Sequence, residues 1–325
     1  MRIMPLEKRG ISNSRIVFGC MGIGGEWNNA PYTKEDYIIA EKAVEAALSI
    51  GITMFDHADI YKRGKSESIF GEILKKRPDL RDQIILQSKV GIRFQDEVNP
   101  QRFDFSKGHI ISATDGILQR LGVEHLDVLL LHRPDPLMEP EEIAEAFNTL
   151  RSAGKVRHFG VSNMSSAQIR FIQNSLPEPL VVNQLEMSLA RIDWVEQGIL
   201  VNQKDGLGVN FADGIMEHCQ MADIQIQAWG PLAQGKFSGS VPEDAPDTIA
   251  NTAILVQKMA TEKETTPESI VLGWLMKHPA RIQPVIGTSS AKRVLACEDA
   301  VRIAETMTRE EWYTLLESSR GARMP

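Results

Sequence analysis

Cysteine is scarce in this chain of 325 residues, which has three in total. Cys20, Cys219 and Cys297 form no CxxC pair, so the sequence predicts no disulfide framework. We expect all three to be reduced thiols, as in a cytoplasmic protein.

Long apolar runs and an excess of positive charge are also missing. No apolar run is long enough to span a bilayer, and the opening MRIMPLEKRG lacks the apolar stretch of a secretory signal. The 36 basic residues are outnumbered by 43 acidic ones, which gives a net charge of -7. We therefore expect a cytoplasmic protein whose partners include neither a membrane nor nucleic acid.

What the chain does contain is ordinary globular composition. Hydrophobic residues make up 42% of the sequence and charged residues 24%, which is ample for a large core. The length allows two domains, but α/β barrels of this size are usually one unit. No linker or low-complexity segment divides the chain, so we expect residues 1–325 to form a single domain.

Eight short apolar runs alternate with amphipathic segments, and this alternation predicts an α/β fold, a (β/α)8 TIM barrel. Nearly continuous apolar runs are typical of parallel strands that are buried on both faces. Helical spacing is clearest at 37–49 and 141–153, which end at Gly51 and Gly154, and at 268–277, where Pro267 fits the first turn. The predicted strands are 15–19, 53–56, 84–88, 126–131, 158–161, 181–184, 224–228 and 283–286.

The segments around this barrel are predicted to be irregular. Residues 3–6 and 11–14, with a turn at 8–10, predict an N-terminal β-hairpin that caps the bottom of the barrel. Long loops at 90–108, 188–209 and 231–249 follow strands at the C-terminal face, where barrel enzymes place their sites. Aromatic residues near these loops are predicted to line an apolar substrate pocket, the alternative being that they pack only their own loops: Trp27, Phe94, Phe103, Phe105 and Trp194.

Titratable side chains end three consecutive predicted strands. Asp56 ends the second strand, Lys89 the third and His132 the fourth. A buried carboxylate and a buried ammonium each need a counter-ion, and on adjacent strands each supplies the other's. Tyr61 follows on the loop after Asp56, where it can fold over the pair.

These four residues suit proton transfer to a carbonyl oxygen. A tyrosine hydroxyl titrates near pH 10, and a neighbouring ammonium is expected to lower the pKa of Tyr61, making it a better general acid. His132 can donate a second hydrogen bond to the same oxygen. The alternative is a structural ion pair of Asp56 and Lys89 beside an unrelated Tyr and His.

The remaining strand ends predict a site for a nicotinamide cofactor. Asn and Gln side chains suit a carboxamide, an indole can stack on a planar ring, and small residues before a helix expose N–H groups to phosphate. A Rossmann fingerprint is absent, because the glycines of 19–25 have the wrong spacing. The predicted cofactor contacts are Cys20, Met21, Ser162, Asn163, Gln184, Trp229, Gly230, Pro231, Leu232, Gln234, Gly235, Lys236, Gly287, Thr288, Ser289 and Arg293.

With these motifs the chain resembles the aldo-keto reductase family over nearly its whole length. The resemblance is carried by Gly-Ile-Thr-Met-Phe-Asp-His-Ala-Asp-Ile-Tyr at 51–61, Leu-Leu-Leu-His at 129–132, Gly-Val-Ser-Asn at 160–163 and Pro-Val-Ile-Gly-Thr at 284–288. It implies that Asp56, Tyr61, Lys89 and His132 are the family's catalytic tetrad. It also implies NADPH-dependent reduction of aldehydes or ketones to alcohols.

The resemblance further implies the cofactor contacts and a small-molecule carbonyl substrate. Ser162, Asn163 and Gln184 would hold the nicotinamide amide, with Trp229 stacked on the ring. Arg293 matches a phosphate cation of the family, so NADPH is favoured over NADH, although Gly287 stands where many NADPH-using members have lysine. The sequence also departs at residues 62–64, where Lys-Arg-Gly follows the tyrosine in place of glycine. The family leans to a monomer or a weak homo-oligomer.

Other functions remain open from the residues. One is a cofactor-binding regulatory or sensor module with little turnover. Another is a barrel lyase or isomerase that uses Lys89 as a Schiff-base nucleophile. A metal hydrolase is disfavoured, because the seven histidines show neither HxH nor HExxH spacing, and no metal site is predicted.

Overall fold

The computed structural model describes residues 3–239, 241 and 244–325. Within those residues the chain alternates between strands and helices. The strands are β1 (Val17–Gly19), β2 (Met54–Asp56), β3 (Ile85–Val90), β4 (Ile92–Arg93), β5 (Arg102–Phe103), β6 (Leu126–Leu131), β7 (Val156–Ser162), β8 (Val182–Glu186), β9 (Gln225–Trp229) and β10 (Gln283–Ile286).

The helices of the described residues fall mostly between consecutive strands. They are α1 (Pro5–Lys8), α2 (Lys34–Ser49), α3 (Lys65–Lys76), α4 (Lys107–Leu121), α5 (Pro140–Ser152), α6 (Ser166–Gln173), α7 (Asp193–Ile199), α8 (Ile215–Met221), α9 (Asp247–Glu262), α10 (Pro267–Lys277), α11 (Ala291–Leu295), α12 (Ala300–Thr306) and α13 (Arg309–Arg320). Short 3-10 turns lie at Cys20–Gly22, Tyr61–Gly64, Pro78–Gln83, Lys204–Gly208 and Ala233–Gly235.

Eight of these strands close into a parallel barrel in the order β1-β10-β9-β8-β7-β6-β3-β2. The predicted (β/α)8 TIM barrel is therefore confirmed, and each predicted strand overlaps an observed one. The two remaining strands, β4 and β5, form a small antiparallel ribbon in the long loop after β3. Because all barrel strands are parallel, their carboxyl ends meet at one face, and the polar strand-end residues collect there.

Two apolar clusters hold the barrel together. The larger lies between the sheet and the surrounding helices. The smaller fills the barrel interior with branched side chains such as Val17, Val128 and Val182, together with Leu6 from the N-terminal segment. Filling by bulky branched residues is what keeps barrels of this kind closed.

The predicted N-terminal β-hairpin is wrong, because the segment is the helical turn α1. Pro5 is the first helical residue, where its fixed φ favours a helix. The Glu7 side chain accepts a hydrogen bond from the Met4 backbone N–H at 3.3 Å, and Gly10 ends the turn with φ +68°. Leu6 still closes the bottom of the barrel, as the hairpin was expected to do.

The helix boundaries follow from caps that local chemistry explains. At α2, Thr33 accepts a hydrogen bond from the Asp36 N–H, and the Asp36 carboxylate accepts one from the Thr33 N–H. Gly51 and Gly154 follow α2 and α5 with φ of +79° and +71°, a conformation that ends helices and suits glycine. Among the described residues, no helix has the length and apolar character required to cross a membrane.

Candidate active site

The register of β2 and β3 places three polar side chains inside the upper end of the barrel. Asp56 lies opposite Gln87, and Lys89 lies on the same face of β3 as Gln87 because strand side chains alternate. Lys89 Nζ donates to Asp56 Oδ2 at 2.6 Å, and Gln87 Nε2 donates to Asp56 Oδ1 at 2.6 Å. Both carboxylate oxygens are thus bonded, and all three residues are buried.

The Lys89 ammonium has three N–H donors, and the structure gives each one an acceptor. Besides Asp56, Nζ donates to the His57 carbonyl at 2.9 Å and to Tyr61 Oη at 2.9 Å. Because Tyr61 Oη accepts this bond, its own O–H proton remains available to another acceptor. The predicted grouping of Asp56, Lys89 and Tyr61 is therefore present in the fold.

His132 lies against Tyr61 from the end of β6. The two rings are 6.0 Å apart between centroids and nearly perpendicular, at 81°. His132 Nδ1 is buried and has no hydrogen-bond partner in the described chain. Burial first, and then the Lys89 and Arg133 charges, hold the pKa of His132 well below 6.5, so the imidazole is neutral at physiological pH and carries a single N–H.

The charges of the tetrad are set by burial and by one another. Burial raises the pKa of Tyr61 above 10.0, and Lys89 opposes this rise. The expectation that the ammonium would lower the pKa of Tyr61 is thus right for the interaction and wrong for the net direction. Burial alone would lower the pKa of Lys89, but Asp56 and Tyr61 more than offset it, so the pKa is raised.

The predicted carboxamide-binding residues meet at the ends of β7, β8 and β9. Ser162 Oγ donates to the Gln184 carbonyl at 3.0 Å, and Asn163 Nδ2 donates to Ser162 Oγ at 2.8 Å. Trp229 Nε1 donates to Asn163 Oδ1 at 3.0 Å. These contacts fix Asn163, which adopts φ +59°, a conformation that asparagine tolerates.

Some donors and acceptors of this cluster form no hydrogen bond within the described protein and are available to a ligand. Gln184 Nε2 already donates to Gln227 Oε1 at 3.0 Å, whereas no described group bonds Gln184 Oε1. Asn163 also spends its amide N–H groups within the protein, on Ser162 and on the His132 carbonyl. The cluster therefore keeps the Gln184 Oε1 acceptor and the second lone pair of Asn163 Oδ1, which fit the N–H groups of a nicotinamide carboxamide, and one Gln184 N–H, which fits its carbonyl oxygen.

The predicted phosphate-side residues lie on two loops at the same face. The turn after β9 carries positive φ at Gly230, Gln234 and Gly235, and it presents Lys236 to solvent. After β10, Gly287 faces open space and Arg293 is exposed on α11. Neither cation forms an ion pair within the described residues. Pro231, Leu232, Thr288 and Ser289 lie on these same two loops.

The segment after β1 approaches both the tetrad and the last loop. A Cβ on Gly22 would lie 3.3 Å from the Ser289 backbone N, so the first and eighth loops are in close contact. Cys20 is fully buried, and burial followed by the Asp56 charge raises the pKa of its thiol well above 9.0. Met21 is half exposed beside it.

The five aromatic residues predicted at the mouth separate into two groups. Trp27 and Phe103 are partly exposed and Phe94 is half-buried, which is compatible with a pocket rim. Phe105 and Trp194 are buried, and Trp194 lines a separate cavity between α7, α8 and α13. Phe105 packs beneath Gly91, and Trp194 packs edge-on against the Trp274 ring.

A row of buried glutamines beneath the tetrad was not predicted. Gln87 Nε2 donates to Gln227 Oε1 at 2.8 Å, Gln227 Nε2 to Gln283 Oε1 at 3.0 Å, and Gln283 Nε2 to the Ser14 carbonyl at 2.6 Å. With Gln184, these residues connect the carboxamide cluster and Asp56 to the lower barrel. The available signal was a glutamine two residues before Lys89, in the same strand and therefore on the same face.

A cavity of about 600 Å³ lies elsewhere in the molecule. It is enclosed by α7, α8 and α13, and none of the predicted catalytic or cofactor residues lines it. We place the active site at the strand ends rather than in this cavity, because the ionisable and carboxamide-binding groups converge there. In the described chain, no group of three or more His, Cys, Asp or Glu side chains is arranged to hold a metal.

Comparison with known proteins agrees with the fold and with the site. A model of the aldo/keto reductase family matches residues 15–317. A match to this family over nearly the whole chain defines an NAD(P)H-dependent oxidoreductase. This chain belongs to the aldo/keto reductase family.

Two curated bacterial relatives and one solved structure illustrate the likeness. The chain is 34% identical to oxidoreductase YdhF of Escherichia coli over 99% of each chain. It is 33% identical to 6-dehydroglucose reductase of Agrobacterium fabrum over 93% of each. The structure of a glycerol dehydrogenase from Gluconobacter oxydans superposes with a TM-score of 0.77 at 22% identity, covering 94% of this chain and 90% of that one.

Proposed function

We propose that this protein reduces aldehyde or ketone carbonyls to alcohols with NADPH, and that Tyr61 is the proton donor. The proposal rests on one observation: the three N–H groups of Lys89 donate to Asp56, to the His57 carbonyl and to Tyr61. This arrangement leaves the Tyr61 O–H free beside a neutral His132. Such a pair can hold one carbonyl oxygen between two donors.

Each residue of the tetrad has a separate role in this reaction. Bound NADPH would supply a hydride to the carbonyl carbon. Tyr61 gives its proton to the carbonyl oxygen, and the Lys89 ammonium stabilises the phenolate that remains. Asp56 keeps Lys89 protonated and in place, and His132 orients the carbonyl oxygen through its N–H.

The cofactor contacts are proposed from the acceptor set and the two exposed cations. Gln184 and Asn163 accept hydrogen bonds from the carboxamide, with Ser162 supporting them and Trp229 alongside the ring. The turn 230–236 and the loop 287–293 hold the phosphates, with Lys236 and Arg293 as cations. A second phosphate cation favours NADPH over NADH. Residues 1–325 would act as one barrel unit, as a monomer or weak homo-oligomer.

Turnover measurements on matched tyrosine variants test the proton donor. NADPH oxidation, with NADH in parallel, is followed against aldehydes, diketones and quinones. We expect Tyr61→Phe to lower kcat by about 100-fold or more, since general acids contribute about 10²- to 10⁴-fold, while the Kd for NADPH stays within about twofold. Tyr313→Phe, which removes a tyrosine hydroxyl from α13, serves as the control and should keep its activity.

Lys89→Met tests the support of the phenolate in the same assay. Its kcat should fall about as far as that of Tyr61→Phe, because the phenolate would lose its counter-charge. Wild-type turnover in Tyr61→Phe would remove the acid assignment. Binding of NADPH without reduction of any carbonyl by the wild-type protein would favour the regulatory module instead.

A further inference from the structure

Three cations directly follow the two residues that would hold the carbonyl oxygen. Lys62 and Arg63 come after Tyr61, and Arg133 comes after His132. The Tyr61 and His132 rings are 6.0 Å apart between centroids. The backbone positions of the three cations are therefore close together at the strand-end face of the barrel. Their position distinguishes them from the phosphate-side cations on the seventh and eighth loops.

None of the three cations has a carboxylate partner within the described residues. No oxygen of Asp or Glu there lies within 4.0 Å of a side-chain nitrogen of Lys62, Arg63 or Arg133, and these side chains make no hydrogen bond to that part of the chain. Neighbouring arginines behave differently, since Arg93 pairs with Asp104 at 2.7 Å and Arg102 with Asp96 at 3.8 Å. Nearby cations are therefore neutralised, whereas these three have no counter-ion among residues 3–239, 241 and 244–325.

Aromatic rings hold the cations in place without neutralising them. Lys62 Nζ lies 5.4 Å from the Trp27 ring centroid, and Arg63 Cζ lies 5.0 Å from that of Phe94. Trp27 and Phe94 are two of the aromatic residues predicted at the pocket mouth. At such distances a cation is attracted to the ring face but keeps its full charge.

Arg133 is held in the same way on the other side of the site. Its Cζ lies 5.7 Å from the Trp229 ring centroid, and Trp229 is itself bonded to Asn163. Arg133 is half-buried as a residue, and it has no ion pair in the described chain. An arriving anion would supply one through the planar fork of the guanidinium.

The backbone at Lys62 and Arg63 is held in an unfavourable conformation. Both residues have positive φ, 51° and 59°, a conformation that is disfavoured for residues with a side chain. Glycine would make the same turn without that cost, as Gly64 does at the next position with φ +85°. Strain of this kind is typical of functional sites, and here it fixes two cations beside Tyr61.

Two carboxylates near this segment, Asp56 and Asp36, are already engaged, whereas Asp59 Oδ1 is buried and has no hydrogen-bond partner in the described chain. Asp56 is bonded by Lys89 and Gln87. Asp36, whose pKa is lowered first by the Thr33 backbone and hydroxyl and only last by Lys62, is held in the cap of α2. A chain with a net charge of -7 thus presents a locally positive mouth, and such a mouth attracts anions.

Resting on the proposed function, we propose that Lys62, Arg63 and Arg133 select substrates whose carbonyl group is accompanied by an anionic oxygen group. A carboxylate and a phosphate share this chemistry, since both accept charge-assisted hydrogen bonds from these cations. Tyr61 and His132 hold the carbonyl oxygen, and the three cations hold the anion on the solvent side of it.

Pairs of aldehydes that differ by one anionic group test this selection. The carboxylate pair is 4-carboxybenzaldehyde against 4-methylbenzaldehyde, and the phosphate pair is glyceraldehyde 3-phosphate against glyceraldehyde. We expect the anionic member of at least one pair to have a KM about 10-fold or more below that of its neutral partner, since one charge-assisted hydrogen bond contributes about 1.5–3 kcal/mol. The pair with the larger ratio identifies the anion. Added salt should raise the KM of the anionic member alone.

Charge-removing variants locate the selection. Arg133→Met, Lys62→Met and Arg63→Gln should each lower the ratio of neutral to anionic KM by about threefold or more, while kcat for the neutral aldehydes changes by less than about twofold. The control is Lys155→Gln, which removes an equal charge from the residue before β7, where Lys155 pairs with Asp115 at 2.6 Å. The control should leave the ratio unchanged.

Three results would overturn the inference. One is an equal KM for both members of both pairs in the wild-type protein. Another is an unchanged ratio in all three variants. The third is a raised Kd for NADPH with an unchanged ratio, which would assign the cations to the cofactor. Reduction of neutral aldehydes in any of these cases would leave the proposed carbonyl reduction standing, so the two proposals fail separately.

Discussion

Among single residues, Asp59 is a carboxyl near the site whose charge is poorly compensated. It lies between Asp56 and Tyr61, and its Oδ1 is buried without a hydrogen-bond partner in the described chain. Burial raises the pKa of Asp59 to about 7, the Glu67 charge adds to the rise, and Arg120 opposes it. The folded protein therefore binds a proton at Asp59 more tightly than the unfolded chain does.

This residue should make the free energy of unfolding depend on pH. A carboxyl with a pKa near 4 when unfolded and about 7 when folded adds stability at low pH, and that contribution is lost as the pH rises to about 7. In Asp59→Asn, the loss of stability between pH 5 and pH 8 should shrink by roughly 1–3 kcal/mol, allowing for the partial exposure of the side chain. Urea denaturation at pH 5, 6, 7 and 8 measures this difference. Parallel curves for the two proteins would contradict the raised pKa.

Three of the four proposed catalytic positions have a local signal in the sequence, and Tyr61 was predicted only from its place on the loop after Asp56. Asp56, Lys89 and His132 stand at the ends of apolar runs, and the carboxyl ends of parallel strands must meet. Gln87 carried no comparable signal, since an amide within a strand is equally compatible with the surface. The charge of Lys62 and Arg63 was visible in the sequence. Their lack of ion-pair partners within the described residues was not, because pairing depends on residues that are distant along the chain.

At the scale of elements, the apolar runs predict the strand boundaries to within about two residues. Gly51 and Gly154 predict the ends of α2 and α5. The prediction for the N-terminal segment was wrong because its apolar residues are compatible with both a β-hairpin and a helical turn. Pro5 and the Glu7 contact favour a helical turn, and the burial of Leu6 inside the barrel stabilises it. That burial is a tertiary contact, which periodicity does not reveal.

The crossing of α3 and α4 depends on a residue without a side chain. A Cβ on Gly71 would lie 2.4 Å from the Arg120 carbonyl oxygen and 2.9 Å from the Leu121 carbonyl carbon. Backbone atoms cannot give way as a flexible side chain does, so the two helices must separate to admit a methyl group. Because α3 follows the turn that holds Tyr61, its position bears on the site as well.

We expect Gly71→Ala to lower the free energy of unfolding by roughly 1–3 kcal/mol, as overpacking does. The matched control is Gly108→Ala in the first turn of α4, where the added Cβ meets nothing within 4 Å. That variant should be neutral or more stable by up to about 1 kcal/mol, because alanine favours a helix. Urea titration of both variants gives the comparison. Equal stability of the two would show that the helices are not in close contact at Gly71.

At the scale of the whole molecule, the glutamine row ties the catalytic face to the lower barrel. Gln227 is its junction, since its Oε1 accepts from both Gln87 and Gln184 and its Nε2 donates to Gln283. All four side chains are buried. A buried amide that loses its partner lowers the free energy of unfolding. The contributions of these glutamines to stability are therefore coupled to one another.

Methionine substitutions, which keep the length of the side chain, separate the two duties of this row. Gln227→Met should lower the free energy of unfolding by about 2–5 kcal/mol, because it leaves several buried amide groups without a partner. Gln87→Met removes the donor to Asp56 Oδ1, so it should lower kcat more than Gln227→Met does, with the Kd for NADPH unchanged. Denaturation and steady-state assays on the same preparations measure both effects. A larger kcat loss in Gln227→Met would contradict the assignment of Gln87 to Asp56.

The direction of the amide hydrogen bonds along this row constrains how these glutamines can change in evolution. Each N–H is given towards the Ser14 carbonyl, except the one that Gln87 gives to Asp56, so turning over any amide would set oxygen against oxygen or nitrogen against nitrogen. Replacing one glutamine of the row therefore leaves a buried amide without a partner and lowers stability. Replacing the connected glutamines together avoids that loss. In a lineage of related barrels, these glutamines should be inherited or lost together.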